Sequence, residues 1–342
     1  MKIVINYEHE KHNVETYARG GVIVPGQEIP ERGKRFIAAL SHGDHEEIRS
    51  QDFGMGPIAD VHSVDYLEFL QNVYQEWQDL PNPPREIVPF VHPVRYMDGY
   101  SKHIIAKVGY HVGDTASPIV EGTWQASYAS AQTALTAAKL VADGASASYA
   151  MCRPPGHHAY SDLAGGYCYI NNVAVAAEYL LKTRNRVAIL DVDVHHGNGT
   201  QGIFYNRADV AFVSLHGEPD GLYPFYSGFA NERGEGLGRG YNRNFPMPAG
   251  TGDNEFLNAL QDGLRFIDSF APDALLISLG LDAQENDPVG NLSVSTKGFE
   301  QVGAAIGEKG LPTVIIQEGG YLCDELADNL VSFLAGFENS HD

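Results

Sequence analysis

Residues 186–201 read RVAILDVDVHHGNGTQ, and the fold turns on them. Val187–Leu190 is a short apolar run of the kind that a parallel sheet buries on both faces. It runs directly into Asp191, Asp193 and His195, which alternate, so in an extended chain all three project from one face. A carboxylate and an imidazole two residues apart on one face can both reach a divalent metal. Asp191 is then left to orient a neighbouring imidazole. Asn198, Gly199 and Thr200 suit a helix start, and a helix N-cap cluster is the competing reading. That reading does not account for two aspartates at the end of a buried apolar strand, where ionised carboxylates need cations or donors.

Working outward, similar apolar runs lie at Lys2–Asn6, Ser146–Met151, Val210–Leu215, Ala274–Leu279 and Thr313–Gln317. Helical periodicity separates them, at Thr123–Ala142, Asn172–Lys182, Glu255–Phe270, Thr296–Lys309 and Glu325–Phe337. Alternation of this kind predicts an α/β fold, a single domain over residues 1–342, with a mainly parallel multi-stranded sheet and helices on both faces. Two segments stand outside the pattern. Leu80–Pro118 is rich in proline, histidine and aromatics and reads as a structureless insertion, a lid or an interface arm. Gly217–Gly252, rich in glycine and aromatics, reads the same way.

Ligands of open α/β sheets bind at the carboxyl ends of strands, so several strand ends can converge on one site. One end, MCRPPGHHAYSDLAGGYCYINN (residues 151–172), sets His157 and His158 side by side after a stiff Pro-Pro-Gly turn. Adjacent imidazoles there are candidates for acid–base chemistry, although a loop histidine is ordinarily a surface residue. Another, DALLISLGLDAQENDP (273–288), delivers Asp282 after an apolar run. With Asp193 and His195 it completes a three-ligand set that leaves a position open for water, the form of a catalytic metal site. A fourth, TVIIQEGGYL (313–322), presents Tyr321 after a Gly-Gly turn. Alone it would be a packing tyrosine; beside a metal its phenol can donate to a developing oxyanion.

The chain has 44 acidic and 23 basic residues, a net charge of −21. That field repels nucleic acid and anionic membrane and attracts cations, and no basic patch is available for nucleic acid. It reads as a solvated acidic surface, including adaptation to high salt, and as a lure for polycations, and the two can both hold. No stretch approaches the roughly 18 apolar residues of a membrane span. MKIVINYEHE is no signal peptide, and Cys152, Cys168 and Cys323 lack CxxC spacing. Both features point to a reducing cytoplasm.

Together, RPPGHHA, GGYCYINN, DVDVHHGNGTQ, SLGLD and EGGY resemble the histone deacetylase family of the arginase–deacetylase fold. They stand in the family's order from Arg153 to Tyr321, about half the chain. The insertion at about 80–118 and the acidic chain look most like the bacterial acetylpolyamine amidohydrolases, in which such an insertion makes a homodimer and narrows the active-site entrance. The resemblance implies zinc on Asp193, His195 and Asp282, although this donor set would also accept Fe2+, Co2+ or Mn2+. It implies His158 as general base and then acid, His157 as its electrostatic partner, and Tyr321 as donor to the carbonyl oxygen. Asp191 would orient His157 and Asn198 would orient His158, whose pKa should be lower beside an amide than beside a carboxylate. Tyr167, Tyr223 and Gly166 would line the substrate tunnel. Structural potassium would contact Asp191, Asp193, His195, Ser214 and Leu215.

In that branch an acidic residue on the insertion helps bind the substrate's distal ammonium. Aligned without gaps, Ile105 falls there and joins the tunnel; Asp114 and Glu121 are nearby but do not match the motif position. The implied reaction is hydrolysis of small cationic acetylated amines such as acetylputrescine or acetylcadaverine. Rival readings are an acetyl-lysine deacylase acting on polypeptides, a two-metal manganese hydrolase of the arginase type, and a reader that binds acylated amines without turnover. The arginase reading lacks a second full ligand set, and a reader has no use for a general base.

Overall fold

In the computed structural model, which describes residues 1–43 and 45–341, the apolar runs are strands. The strands are β1 (Lys2–Ile5), β2 (Thr16–Arg19), β3 (Val22–Pro25), β4 (Glu46–Arg49), β5 (Ala147–Ala150), β6 (Val187–Asp191), β7 (Val210–Gly217), β8 (Asn242–Met247), β9 (Ala274–Leu279) and β10 (Thr313–Gln317). The helices are α1 (Pro30–Leu40), α2 (Gly56–Ala59), α3 (Val64–Gln78), α4 (Ile104–His111), α5 (Thr123–Ala142), α6 (Asn172–Leu181), α7 (Asn198–Phe204), α8 (Asp253–Phe270), α9 (Thr296–Gly307) and α10 (Leu326–Ser340).

Eight strands form one sheet in the order β4-β1-β5-β10-β9-β6-β7-β8, and every pairing in it is parallel. Side chains of a strand alternate between faces, and the sheet carries a core on each. Leu276 and Ile189 join one core with Tyr66, Leu135 and Val173 of α3, α5 and α6. Leu275, Ile277, Ala188 and Leu190 join the other with Phe36, Leu260, Val302 and Phe333 of α1, α8, α9 and α10. Burial on both faces is why these strands read as unbroken apolar runs. Helix α8 shows the complementary pattern, burying Phe256, Leu260, Leu264, Ile267 and Phe270 at helical spacing.

Two expectations need correction. Leu80–Pro118 is not structureless, since α4 lies within it, with His103 Nδ1 accepting from the Ile105 N–H at its start. Gly217–Gly252 contains the edge strand β8, whose Asn242 and Asn244 bind the Gln201 amide. Those polar side chains break the apolar signature of a strand. The hairpin β2–β3 also escapes an apolar reading, because most of it is exposed. Among the described residues no helix is long and apolar enough to cross a membrane.

The sheet order positions the site. Strands β5, β10, β9 and β6 are consecutive neighbours, so the segments after them, carrying His157 and His158, Tyr321, Asp282, and Asp193 and His195, emerge side by side.

Candidate active site

Asp191 is the last residue of β6, and the chain bends after it. The Asp193 N–H donates to Asp191 Oδ1 (3.1 Å), and the His195 N–H to Asp193 Oδ1 (2.9 Å). The bend, rather than a continued strand, aims the two side chains at Asp282. His195 Nδ1 lies 3.1 Å from Asp193 Oδ1 and 3.2 Å from Asp282 Oδ2. Donors at about 2.0–2.1 Å from a tetrahedral metal stand roughly 3.3 Å apart, so these three atoms have the spacing of a ligand set. Asp193 and Asp282 are fully buried; burial and then the Asp193 charge push the Asp282 carboxyl up, a conflict that a cation relieves. Two glycines make the room: a Cβ at Gly319 would fall 2.1 Å from Asp282 Oδ2, and one at Gly280 2.2 Å from Asp193 Oδ2. The residues therefore fit a divalent metal.

A second group, His157, Cys168 and Glu318, also brings its donor atoms within 4.8 Å of one another. Its donors are engaged: Glu318 accepts from the backbone of Gly156 (2.6 Å) and His157 (3.1 Å), and burial pushes the Cys168 thiol well up.

The two histidines differ in charge. His157 Nδ1 meets Asp191 Oδ2 at 3.0 Å, with Nε2 3.8 Å from Asp193 Oδ2. Burial opposes its charge, but Asp191 and Asp193 outweigh burial and hold the imidazolium at about 10. His158, its ring centroid 4.0 Å away, is pushed well below the usual histidine range by burial and then by the His157 charge. The Asn198 hydrogen bond raises it, but as a smaller cause. His158 Nδ1 donates to Asn198 Oδ1 at 2.6 Å; an amide oxygen only accepts, so Nε2 keeps the lone pair. Asn198 is also the first residue of α7, whose cap is Gly197 with no side-chain capping bond.

His158, His195 and Tyr321 line one cavity of about 340 Å³. Tyr321 is buried, its phenol held protonated by that burial. The Arg32 guanidinium lies 4.5 Å from its ring centroid, and Tyr167 packs on it at 5.6 Å. The Tyr223 ring meets His158 edge-on at 4.9 Å. At Gly166, φ is +54° and a Cβ would fall 2.3 Å from His158 Cδ2, which excludes a side chain there. Tyr167, Tyr223 and Gly166 thus line the cavity, as the tunnel reading has them.

Ile105 does not. It sits on α4, half-buried against the core, because the helix turns this position inward. The carboxylate at the cavity is Asp114. Its Oδ2 accepts from the Tyr223 hydroxyl (2.7 Å) and the Gly166 N–H (2.8 Å), and its Oδ1 from the Ala116 N–H (2.9 Å). Ser214, of the potassium set, is the register partner of Asp191 across β6 and β7, and its hydroxyl meets His216 Nδ1 at 2.7 Å.

Other residues of the site carry no chemical motif. Buried Arg32 donates to the carbonyls of Gly320 (2.6 Å) and Glu318 (2.7 Å), holding the turn that presents Tyr321. Glu28 carries the charge of both Arg32 (2.6 Å) and Arg153 (3.1 Å). For Glu28 and Arg32 the sequence offers only their i,i+4 spacing, whereas Arg153 opens RPPGHHA.

The chain is similar to known proteins over its whole length. The model of the histone deacetylase domain matches residues 27–337. An acetylpolyamine amidohydrolase of Burkholderia pseudomallei is 47% identical over 330 residues, 95% of each chain. Acetylpolyamine amidohydrolase 2 of Pseudomonas aeruginosa is 41% identical over 344 residues, 100% of each. The crystal structure of an acetylpolyamine aminohydrolase from Burkholderia pseudomallei matches with a TM-score of 0.97 at 45% identity, over 100% of both chains.

Proposed function

The chain belongs to the histone deacetylase family, and on that premise we propose that it hydrolyses small acetylated di- and polyamines to acetate and free amine. The observation that carries the substrate class is Asp114. Its carboxylate accepts only from neutral groups, and no Lys or Arg among the described residues pairs with it. A carboxylate paired with no cation, beside a cavity lined by Tyr17, Tyr167, Tyr223 and Phe225, is matched by a substrate ammonium.

Asp193, His195 and Asp282 would hold the metal, zinc in this reading, with Fe2+, Co2+ and Mn2+ compatible with the same donors. Bound there, a divalent cation supplies Lewis acidity to the amide carbonyl and lowers the pKa of a water molecule. His158 Nε2 takes the proton of the attacking water, and its neutrality in the folded protein suits it to do so. His157, held charged by Asp191, gives a fixed positive field beside it. The Tyr321 hydroxyl, which bonds to no described residue, donates to the carbonyl oxygen as that oxygen gains charge. His158 then returns the proton to the departing nitrogen. Structural potassium would be held by Asp191, Asp193, His195, Ser214 and Leu215.

The homodimer reading is supported by the insertion, which exposes Phe90, Val91, Val94, Tyr96 and Met97 within eight residues of chain, apolar surface that a second copy would cover. A narrowed entrance would exclude folded protein, which separates this reading from a protein deacylase. The three cysteines are unpaired, as a cytoplasmic location predicts. The test is Asp282→Asn, assayed for acetate release from acetylputrescine and for metal by elemental analysis. Loss of stoichiometric metal and of nearly all activity, with circular dichroism unchanged, is the expected result. Retention of both removes Asp282 from the ligand set.

A further inference from the structure

The mouth of the cavity carries two full charges of opposite sign, and a diamine can use only one of them. Arg19 and Asp114 are the only Lys, Arg, Asp or Glu side chains among the described residues lining it. The segments that carry them are joined: the Thr115 hydroxyl donates to the Ala18 carbonyl over 3.0 Å. Arg19 closes β2 at the tip of the hairpin, before Gly20 and Gly21, whose φ angles of 58° and 83° make the tight turn. Its backbone is thus held by the hairpin, while the residue is exposed. Its hydrogen bond, from Nη1 to the Pro288 carbonyl, is long at 3.4 Å, and its other donors bond to no described residue.

A guanidinium is an unexpected lining for a pocket that takes cations. A further ammonium along the substrate would meet it as a like charge, whereas a carboxylate would meet it as a partner of matching geometry. A substrate with an ammonium and a carboxylate on one carbon answers both Asp114 and Arg19. Resting on the deacetylase reading above, we propose that the site also takes acetylated α,ω-diamino acids in free form. Nε-acetyl-lysine is the member whose tether equals that of acetylcadaverine. Its α-ammonium is received by Asp114 and its α-carboxylate by Arg19. The free carboxylate is the recognised feature, and a residue within a polypeptide lacks it. The reaction keeps the same balance: water adds to the acetyl carbon, the C–N bond breaks, and the nitrogen takes a proton to give acetate and lysine.

The test compares kcat/KM for Nε-acetyl-lysine, its α-carboxamide and acetylcadaverine in the wild type, Arg19→Gln and Arg19→Lys. Assay at about pH 6.5, below the usual α-amino range, keeps the free amine of all three substrates protonated. The wild type should prefer the acid to the carboxamide roughly fivefold, the discrimination a partly exposed ion pair supplies. Arg19→Gln should abolish that preference and raise acetylcadaverine turnover, and Arg19→Lys should restore part of the preference. Equal turnover of acid and carboxamide by the wild type, or a preference that survives Arg19→Gln, overturns the proposal. Turnover of acetylcadaverine without acetyl-lysine also overturns it while leaving the diamine reading standing; turnover of neither overturns both.

Discussion

The Tyr223 hydroxyl donates to Asp114 Oδ2 over 2.7 Å, which joins the aromatic wall beside His158 to the charge at the cavity mouth. Asp114→Asn keeps the size of the side chain and removes its charge, together with one of the two oxygens that accept from backbone N–H groups. KM for acetylcadaverine should rise roughly tenfold, about 1.4 kcal/mol, with kcat changed less. A neutral acetylated alkylamine should be little affected. Equal losses for the charged and the neutral substrate in steady-state kinetics would make Asp114 a purely structural acceptor.

Tyr321→Phe deletes one hydroxyl from a ring already packed by Arg32 and Tyr167. Loss of one oxyanion donor lowers kcat by about 10²–10³, and KM should hardly move. A kcat within a few-fold of wild type would make Tyr321 a packing residue.

The chemistry at the strand ends was legible because a parallel sheet demands apolar runs, so the charged residues that interrupt them stand out. Asp191, Asp193, His195 and Asp282 are of this kind, Tyr321 is the polar residue that follows another such run, and three adjacent strands, β10, β9 and β6, gather them. The rim was not legible. Asp114 and Arg19 meet through the bond between Thr115 and Ala18, 97 residues apart in the chain, and no local pattern encodes that contact. Ile105 took the acidic position in a gap-free alignment because α4 is too short to announce which of its faces is buried. Arg32 and Glu28 look like a solvated helical pair until the fold covers them.

Buried neutral histidines predict sensitivity to acid. Burial lowers His62 to about 4 in the folded chain, against about 6.5 unfolded. Below pH 6.5 the unfolded chain takes the proton first, so this histidine leaves stability unchanged at neutral pH and removes it as pH falls toward 4. The full loss is roughly 3 kcal/mol at 1.36 kcal/mol per pKa unit. Urea midpoints measured down this range should fall less steeply in His62→Gln than in wild type. Parallel curves would show that His62 titrates alike in both states.

The substrate class is tested most directly by kcat/KM on acetylputrescine, acetylcadaverine, acetylspermidine and an acetyl-lysine peptide, each at low and at physiological salt. Arg19 at the mouth opposes a second distal ammonium, so both diamines should exceed acetylspermidine, and all three should exceed the peptide. If the net charge of −21 steers cations, the diamine values should fall as salt shortens the field to about 8 Å, while a neutral acetylated substrate holds steady. Equal salt responses would assign the acidity to solubility. A peptide with the highest kcat/KM would contradict the small-amine account and make the chain a protein deacylase.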